Sequence, residues 1–139
     1  MTTRNIFFID SSIADYQELI NSLPTNSKWF LLNPDQDGIE QIQAALSSYN
    51  ELDSIQILSH GAQGTLYLGN TVLDQHNIDS YSNQLGYIGN SLAQSGDLLL
   101  YGQYVAQHGK GFQFIDRLSQ LTGADVAVSI AESMPSSMS

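Results

Sequence analysis

The stretch that decides the fold is residues 54–61, which read SIQILSHG. Its apolar run is typical of a buried strand, and the polar triplet Ser59-His60-Gly61 stands where that strand ends. In a parallel sheet, the functional crevice lies beyond the carboxyl ends of the strands. We therefore expect a functional edge to begin at this triplet.

Outward from this stretch, apolar runs of strand length alternate with segments of helical periodicity. The predicted strands are residues 6–9, 29–32, 54–59, 97–101 and 126–130. Helices are expected from residue 13 to 24, from an Asp37 cap to residue 46, from 78 to 92, and from 110 to 121 with a stop at Gly123. Apolar residues on both sides of Gly69-Asn70 predict a small hairpin inserted after the third strand.

This alternation predicts an α/β fold, a three-layer α/β/α sandwich around a mostly parallel, doubly wound sheet. No linker or internal repeat interrupts it, so residues 1–132 are expected to form a single domain. The remaining residues, 133–139, are rich in Ser and Met and are expected to be a flexible C-terminal tail.

The charge balance excludes several classes of partner. The chain has 14 acidic and 4 basic residues and a formal net charge of −10. Such a surface repels phosphate backbones, so neither nucleic acid nor an anionic membrane is an expected partner. The four apolar residues Ile6–Ile9 are too few for a signal peptide. As written the chain therefore predicts a cytoplasmic protein, or a domain cut from a longer secreted chain, and it leaves the oligomeric state open.

Several cofactor sites are not predicted. No Gly-x-Gly-x-x-Gly or Gly-Lys-Ser loop follows the first strand, so no phosphate cradle is expected. A phospho-acceptor receiver domain needs an Asp after the third strand and a Lys after the fifth, where this chain has Ser59 and Ser129. The chain has no cysteine, and its three histidines lack the close spacing of a helical metal site. We expect neither a metal nor another cofactor.

The strand-end rule selects the candidate site residues before any family is considered. An imidazole at His60 would stand on the crevice rim, and Gly61 would allow a sharp turn with a backbone N–H facing a ligand. Gln103 follows the next core strand, and its neutral amide cannot act as a nucleophile. The other strand-end candidates are Asp10, Ser11, Ser59, Gly102, Tyr104 and Ser129.

A series of motifs in order resembles a bacterial family of domains of unknown function. The motifs are Phe8-Ile9-Asp10-Ser11-Ser12, Ser59-His60-Gly61, Asp97 to Gly102, Gly111 to Leu118, and Leu121 to Ala127. The family occurs near the N-termini of very large secreted or surface proteins built from adhesin or cadherin-like repeats. It resembles, distantly, the caspase, gingipain and clostripain group of cysteine peptidases, which implies a caspase-like fold.

The resemblance implies roles for individual residues. His60 matches the catalytic histidine, Gly61 the oxyanion N–H, and Gln103 the position of the cysteine nucleophile. Glu132 would stand in for an acidic residue of the specificity pocket. The resemblance thus implies a catalytically inactive domain that binds a peptide or protein segment, with a basic side chain favoured by the acidic surface.

Three alternatives stay open at this point. A natural glutamine indicates a degenerate, free-standing relative, whereas an engineered one would point to a parent peptidase. A hydrolase could instead use another nucleophile, with His60 recruiting Tyr101, Tyr104 or Ser129. The domain could also be a structural or sorting module of large surface proteins.

Overall fold

The computed structural model describes residues 4–11, 13, 16–21, 23, 27–59, 61–62, 65–101 and 108–129 of the 139-residue chain. Its first elements are β1 (Asn5–Asp10), α1 (Tyr16–Asn21), β2 (Ser27–Leu32), α2 (Gly38–Leu46) and β3 (Leu52–Leu58). Three short strands follow, β4 (Gly61–Ala62), β5 (Thr65–Leu68) and β6 (Thr71–Asp74). The chain continues with the 3-10 helix η1 (Ile78–Tyr81), α3 (Ser82–Asn90), β7 (Leu92–Tyr101), α4 (His108–Thr122) and β8 (Asp125–Ser129).

Five of the described strands form one parallel sheet, in the order β2-β1-β3-β7-β8. The chain steps outward from β1 to β2, crosses back to β3, and then continues through β7 to β8. Each parallel step requires a crossover, and a helix lies in the chain between each pair of consecutive strands of this sheet. The predicted α/β fold with a doubly wound, parallel sheet is confirmed.

Two apolar clusters lie on the two faces of this sheet, because successive strand residues point to opposite faces. The larger cluster includes Phe8 and Ile55 of the sheet together with Ile42 of α2 and Phe114 of α4, all fully buried. The smaller cluster contains Phe7, Ile9 and Leu58, against which the partly buried Ile13, Ile20, Leu23 and Tyr101 pack. Helices α2, α3 and α4 therefore cover one face, and the six-residue α1 lies on the other.

Helix boundaries follow the local signals in the sequence. Asp37 caps α2, since its Oδ1 accepts hydrogen bonds from the N–H groups of Ile39 (2.8 Å) and Glu40 (3.2 Å). Such a cap contributes about 1 kcal/mol. Gly123 follows α4 with a φ of 71°, the left-handed conformation that glycine adopts at helix ends. Both predicted boundaries are confirmed.

The predicted hairpin is present as β5 and β6, and β4 adds a third antiparallel strand. Its turn lies at Gly69, which has a φ of 61° and forms a backbone bridge with Asp37. Leu66, Leu68 and Leu73 point inward and belong to the larger core cluster. The hairpin is thus an integral part of the core.

The segment before β7 differs from the prediction. A single helix over residues 78–92 was expected, but the 3-10 helix η1 precedes α3, and Leu92 already opens β7. Residues 92–96 were missed as strand because their polar character hides the periodicity. Gly96 is required there, since an added Cβ would lie 2.6 Å from the carbonyl oxygen of Leu52. None of the helices within the described segments is long and apolar enough to cross a membrane.

Candidate functional site

The C-terminal ends of β3 and β7 lie side by side. Leu58 pairs with Tyr101 in the parallel ladder, and the N–H of Ser59 donates to the carbonyl oxygen of Tyr101 at 3.1 Å. The prediction that the strands before His60 and Gln103 are neighbours is therefore confirmed. Both strands end at the same level of the sheet.

The residues that carry the predicted chemistry fall largely outside the described residues. These are His60, Gly102, Gln103, Tyr104 and Glu132. Ser129 is the last residue of β8 and pairs with Tyr101 across the sheet, but its side chain is not described. The roles assigned to these six residues stay predictions.

Ser59 is the described residue nearest to the predicted histidine. It is 4% exposed, and its Oγ has no hydrogen-bond partner within the described part of the chain. A buried hydroxyl without any partner costs about 1–3 kcal/mol, so a hydrogen-bond partner is expected for this group. Among the described residues, Ser59 thus has a hydroxyl that accepts and donates no bond at the edge where the site was predicted.

Tyr101 closes β7 directly before the segment that contains Gln103. Its ring is half-buried and packs against the smaller apolar cluster of Phe7, Ile9 and Leu58. Burial raises the pKa of the Tyr101 phenol above its usual value. Burial thus favours the neutral phenol, and the role of Tyr101 as a nucleophile recruited by His60 stays a prediction.

Asp10, at the end of β1, has a structural contact. Its side chain is buried, with 4% exposure, and Oδ1 accepts a hydrogen bond from the backbone N–H of Gly69 at 2.9 Å. The carboxylate therefore ties the hairpin turn to the C-terminal edge of the sheet. Ser11 is half-buried in the turn after β1. The ligand-binding roles of both residues stay predictions.

Gly61 is the first residue of β4 and pairs with Leu66 of β5. The sharp turn expected here involves residue 60, which lies outside the described residues, so it stays a prediction. The expectation that its N–H faces a ligand stays a prediction.

A polar cluster that the sequence did not predict joins α2 to η1. The Tyr81 hydroxyl donates to Asp37 Oδ2 at 2.7 Å, while Oδ1 of the same carboxylate caps α2. Burial is the main reason that the pKa of Tyr81 is raised, and its hydrogen bond to Asp37 adds to the effect. The two partners are 44 positions apart in the sequence, so no local signal predicts this contact.

A groove lies elsewhere, on the outer surface of the helical layer. It has a volume of about 510 Å³ and is lined by Glu40, Gln43, Ala44, Ser47, Gln84 and Tyr87. These residues come from α2 and α3 and the turn after α2, and none of them was predicted to belong to the site. Within the described ranges, no three His, Cys, Asp or Glu residues are grouped as a metal site would require.

Comparison with known proteins adds a family but no activity. No curated protein matches the chain. A solved structure that it resembles is the A domain of the carboxylic acid reductase from Segniliparus rugosus, in complex with AMP and a co-purified carboxylic acid. The two are 11% identical with a TM-score of 0.45, over 98% of this chain and 18% of that one, which is too distant to support any inference. The family model of a domain of unknown function, DUF4347, matches residues 6–133, and the chain belongs to this family.

Proposed function

We propose that this domain is a catalytically inactive relative of the caspase-like hydrolases that binds a peptide or protein segment at the C-terminal edge of its five-stranded sheet. The observation that carries the proposal is the register of β3 and β7, in which Leu58 stands beside Tyr101. His60 and Gln103 each follow this pair by two residues. A catalytic histidine and a nucleophile position on adjacent strand ends are the arrangement that the resemblance implies.

The chemistry of Gln103 supports binding over turnover. A carboxamide donates and accepts hydrogen bonds but neither titrates nor attacks a carbonyl. The buried hydroxyl of Ser59, unpartnered among the described residues, adds a second hydrogen-bonding group at the same edge. Hydrogen-bonding groups of this kind suit recognition of an extended backbone.

The net charge supports a ligand with a basic side chain. The formal charge of −10 attracts cations over a range set by ionic strength. A library of short peptides with one fixed Arg or Lys, titrated into the domain, tests this preference. We expect binding that weakens with added salt and on His60→Ala or Gln103→Ala, and that is unchanged in the control Tyr87→Ala on the helical layer. Efficient amide or ester hydrolysis by the unmodified chain would refute the inactive assignment.

The proximity of His60 to position 103 has a direct chemical test. The chain has no cysteine, so Gln103→Cys introduces a single thiol whose alkylation by iodoacetamide can be followed against pH. An adjacent imidazolium lowers a thiol pKa from about 8.5, to about 7.5 or below. We expect such a lowered midpoint in Gln103→Cys, and an ordinary one in the double variant with His60→Ala.

Ser95→Cys, at an exposed position of β7, is the matched control and should titrate as a free thiol. If the pH midpoint of alkylation in Gln103→Cys is the same with and without His60→Ala, then the two residues are not adjacent. That result would remove the basis of the proposal. Peptidase activity gained by Gln103→Cys would instead indicate that the remaining machinery of a cysteine peptidase is retained.

A further inference from the structure

The groove between α2 and α3 is formed by the outward faces of two helices that pack on the core. Its lining residues are spaced three or four positions apart along each helix, which is the spacing of a single helix face: 40, 43, 44 and 47, then 84 and 87. The opposite faces of the two helices are anchored in the larger core cluster by Ile42, Leu46, Leu85 and Ile88. The walls of this α2–α3 groove are therefore preformed.

Most of the lining of the α2–α3 groove is polar. Gln43 and Gln84 come from the two facing helices and are half-buried, and each amide has two N–H donors and a carbonyl acceptor. Glu40 adds a carboxylate acceptor. The Ser47 hydroxyl donates to the carbonyl oxygen of Ala44 at 2.8 Å, so its lone pairs are able to accept from a ligand. Donors and acceptors thus line the same space.

Tyr87 provides an apolar surface within this polar lining. Its side chain is exposed at 40%, and it lines the groove opposite α2. The face of an aromatic ring carries partial negative charge, which attracts C–H groups of partial positive charge. A ligand in this groove can therefore combine several hydrogen bonds with contact to a ring.

The charge and polarity of the lining limit the class of ligand. Among the six described lining residues Glu40 alone is charged, and the net charge of −10 repels anions. A wholly apolar ligand would cover the two amides and the carboxylate without bonding to them, which is unfavourable. A simple cation would pair with Glu40 but offer no acceptor to the amide N–H groups. A neutral ligand with many hydroxyl groups and an apolar face matches the whole lining.

We propose that the α2–α3 groove binds a neutral saccharide, with one face of a sugar ring against Tyr87 and its hydroxyl groups bonded to Gln43, Gln84 and Glu40. A sugar ring presents C–H groups on its faces and hydroxyl groups around its rim. The groove volume of about 510 Å³ lies within the roughly 300–1,000 Å³ of small-molecule sites. Because the groove is open on its outer side, a bound ring stays partly hydrated, and we expect a dissociation constant of about 1 mM.

A second depression sets the expected length of the ligand. It has a volume of about 400 Å³ and shares Glu40 and Ala44 with the first, and its other lining residues are Gln36, Asp37 and Gln41. Gln41 fixes its wall, since Oε1 accepts from the N–H of Asn33 at 2.7 Å and Nε2 donates to the carbonyl oxygen of Gln36 at 3.1 Å. A second sugar ring would reach this depression across Ala44. A disaccharide should therefore bind about fivefold more tightly than a monosaccharide, through one or two added hydrogen bonds.

The test is a titration followed by proton–nitrogen correlation NMR, which detects weak binding and suits a chain of 15.2 kDa. The probes are glucose, galactose, N-acetylglucosamine, cellobiose and lactose, each added to about 50 mM, far above the expected dissociation constant. We expect shifts of the backbone amides of α2 and α3 that line the groove. The dissociation constant should change by less than about twofold between 0.1 M and 1 M NaCl, because the ligand is neutral.

Substitutions assign the binding to the groove. Tyr87→Ala should weaken saccharide binding about tenfold and Gln84→Ala about fivefold, whereas Tyr87→Phe keeps the ring and should bind as the unmodified chain does. Tyr67→Ala is the matched control, because Tyr67 is also 40% exposed but lies on β5. His60→Ala should leave saccharide binding unchanged, since the groove is separate from the sheet edge proposed for a peptide.

Three results would overturn this proposal. The first is the absence of shifts with every probe at about 50 mM. The second is saccharide binding that Tyr87→Ala leaves as strong as before. The third is tighter binding of lysine amide than of any sugar at the same residues, lost in 1 M NaCl, which would assign the groove to basic side chains.

Discussion

Replacing Gly69 with alanine should destabilise the domain far more than the same replacement at Gly123. Both glycines have positive φ angles, 61° and 71°, so alanine is strained at either position. They differ in their surroundings. A Cβ at Gly123 would meet nothing within 4 Å, whereas a Cβ at Gly69 would overlap the carbonyl oxygen of Gln36 and lie 2.9 Å from that of Asn33.

The expected magnitude follows from these two terms. The left-handed conformation costs a residue with a Cβ about 1–2 kcal/mol, which is the whole penalty at Gly123. At Gly69 the steric overlap adds about 1–3 kcal/mol, because the backbone oxygens are held and cannot rotate away. Gln36 O accepts from the N–H of Asn70 at 2.8 Å, so relief of the overlap would break a hydrogen bond of the hairpin turn. We expect a loss of about 4 kcal/mol for Gly69→Ala and about 1 kcal/mol for Gly123→Ala.

Urea unfolding followed by far-ultraviolet circular dichroism measures this difference, and thermal scans provide a check. For a chain of 139 residues, 4 kcal/mol corresponds to a fall in Tm of about 15 °C. A dye that binds exposed apolar surface would report whether the hairpin detaches and uncovers Leu66, Leu68 and Leu73 before global unfolding. Equal losses for the two variants, with no dye binding, would refute the inference that the hairpin turn is docked on residues 33–37.

Three further substitutions test polar groups. Ser59→Ala removes a hydroxyl that is buried and unpartnered among the described residues, so the stability should rise by about 1 kcal/mol. Ser54→Ala in β3 should instead lower the stability by about 1–2 kcal/mol. The Ser54 hydroxyl donates to Asn5 Oδ1 at 2.7 Å and accepts from Gln56 Nε2 at 3.0 Å, and both bonds would be lost. The midpoints of urea unfolding distinguish the expected gain of stability from the expected loss. A loss of stability in Ser59→Ala would contradict the prediction. Tyr81→Phe should cost about 1 kcal/mol at pH 7 through its lost bond to Asp37. Because the Tyr81 pKa is raised by folding, its contribution is complete below the unfolded pKa of about 10 and is lost as pH rises through the folded value. The difference in stability between the unmodified chain and Tyr81→Phe should therefore narrow above pH 10, and a difference that stays constant with pH would contradict this assignment.

The parts of the fold that could be predicted depend on local signals. Strand-length apolar runs gave the order of the elements, and single residues marked boundaries, as Asp37 and Gly123 did for α2 and α4. The alternation of helices with strands then implied the parallel sheet, and with it the adjacency of β3 and β7. These signals are properties of short windows of sequence, so a single sequence is enough to predict the elements that they mark.

Contacts between distant segments were not predictable in this way. The bond from Gly69 to Asp10 spans 59 residues, and nothing near either residue signals the other. The exposure of Trp29 depends on β2 being an outer strand, which is decided by the order of the whole sheet and not by the strand's own sequence. At the candidate site, the adjacency of the ends of β3 and β7 could be predicted from the sequence. The proximity of His60 to Gln103 stays a prediction, because both residues lie outside the described residues.

The Asn77 side chain lies along the strand β6, where its Nδ2 donates to the carbonyl oxygen of Val72 and its Oδ1 accepts from the N–H of Asp74 at 2.9 Å. This contact depends on the amide form of the side chain. Hydrolysis of that amide to a carboxylate, the commonest spontaneous ageing reaction of asparagine, would replace the NH₂ group that donates to Val72 with an oxygen. Two oxygens would then face each other where a hydrogen bond of 2.7 Å now lies. Hydrolysis of this one side chain would thereby leave the carbonyl oxygen of Val72, at the outer edge of the small sheet, without the donor that it has now.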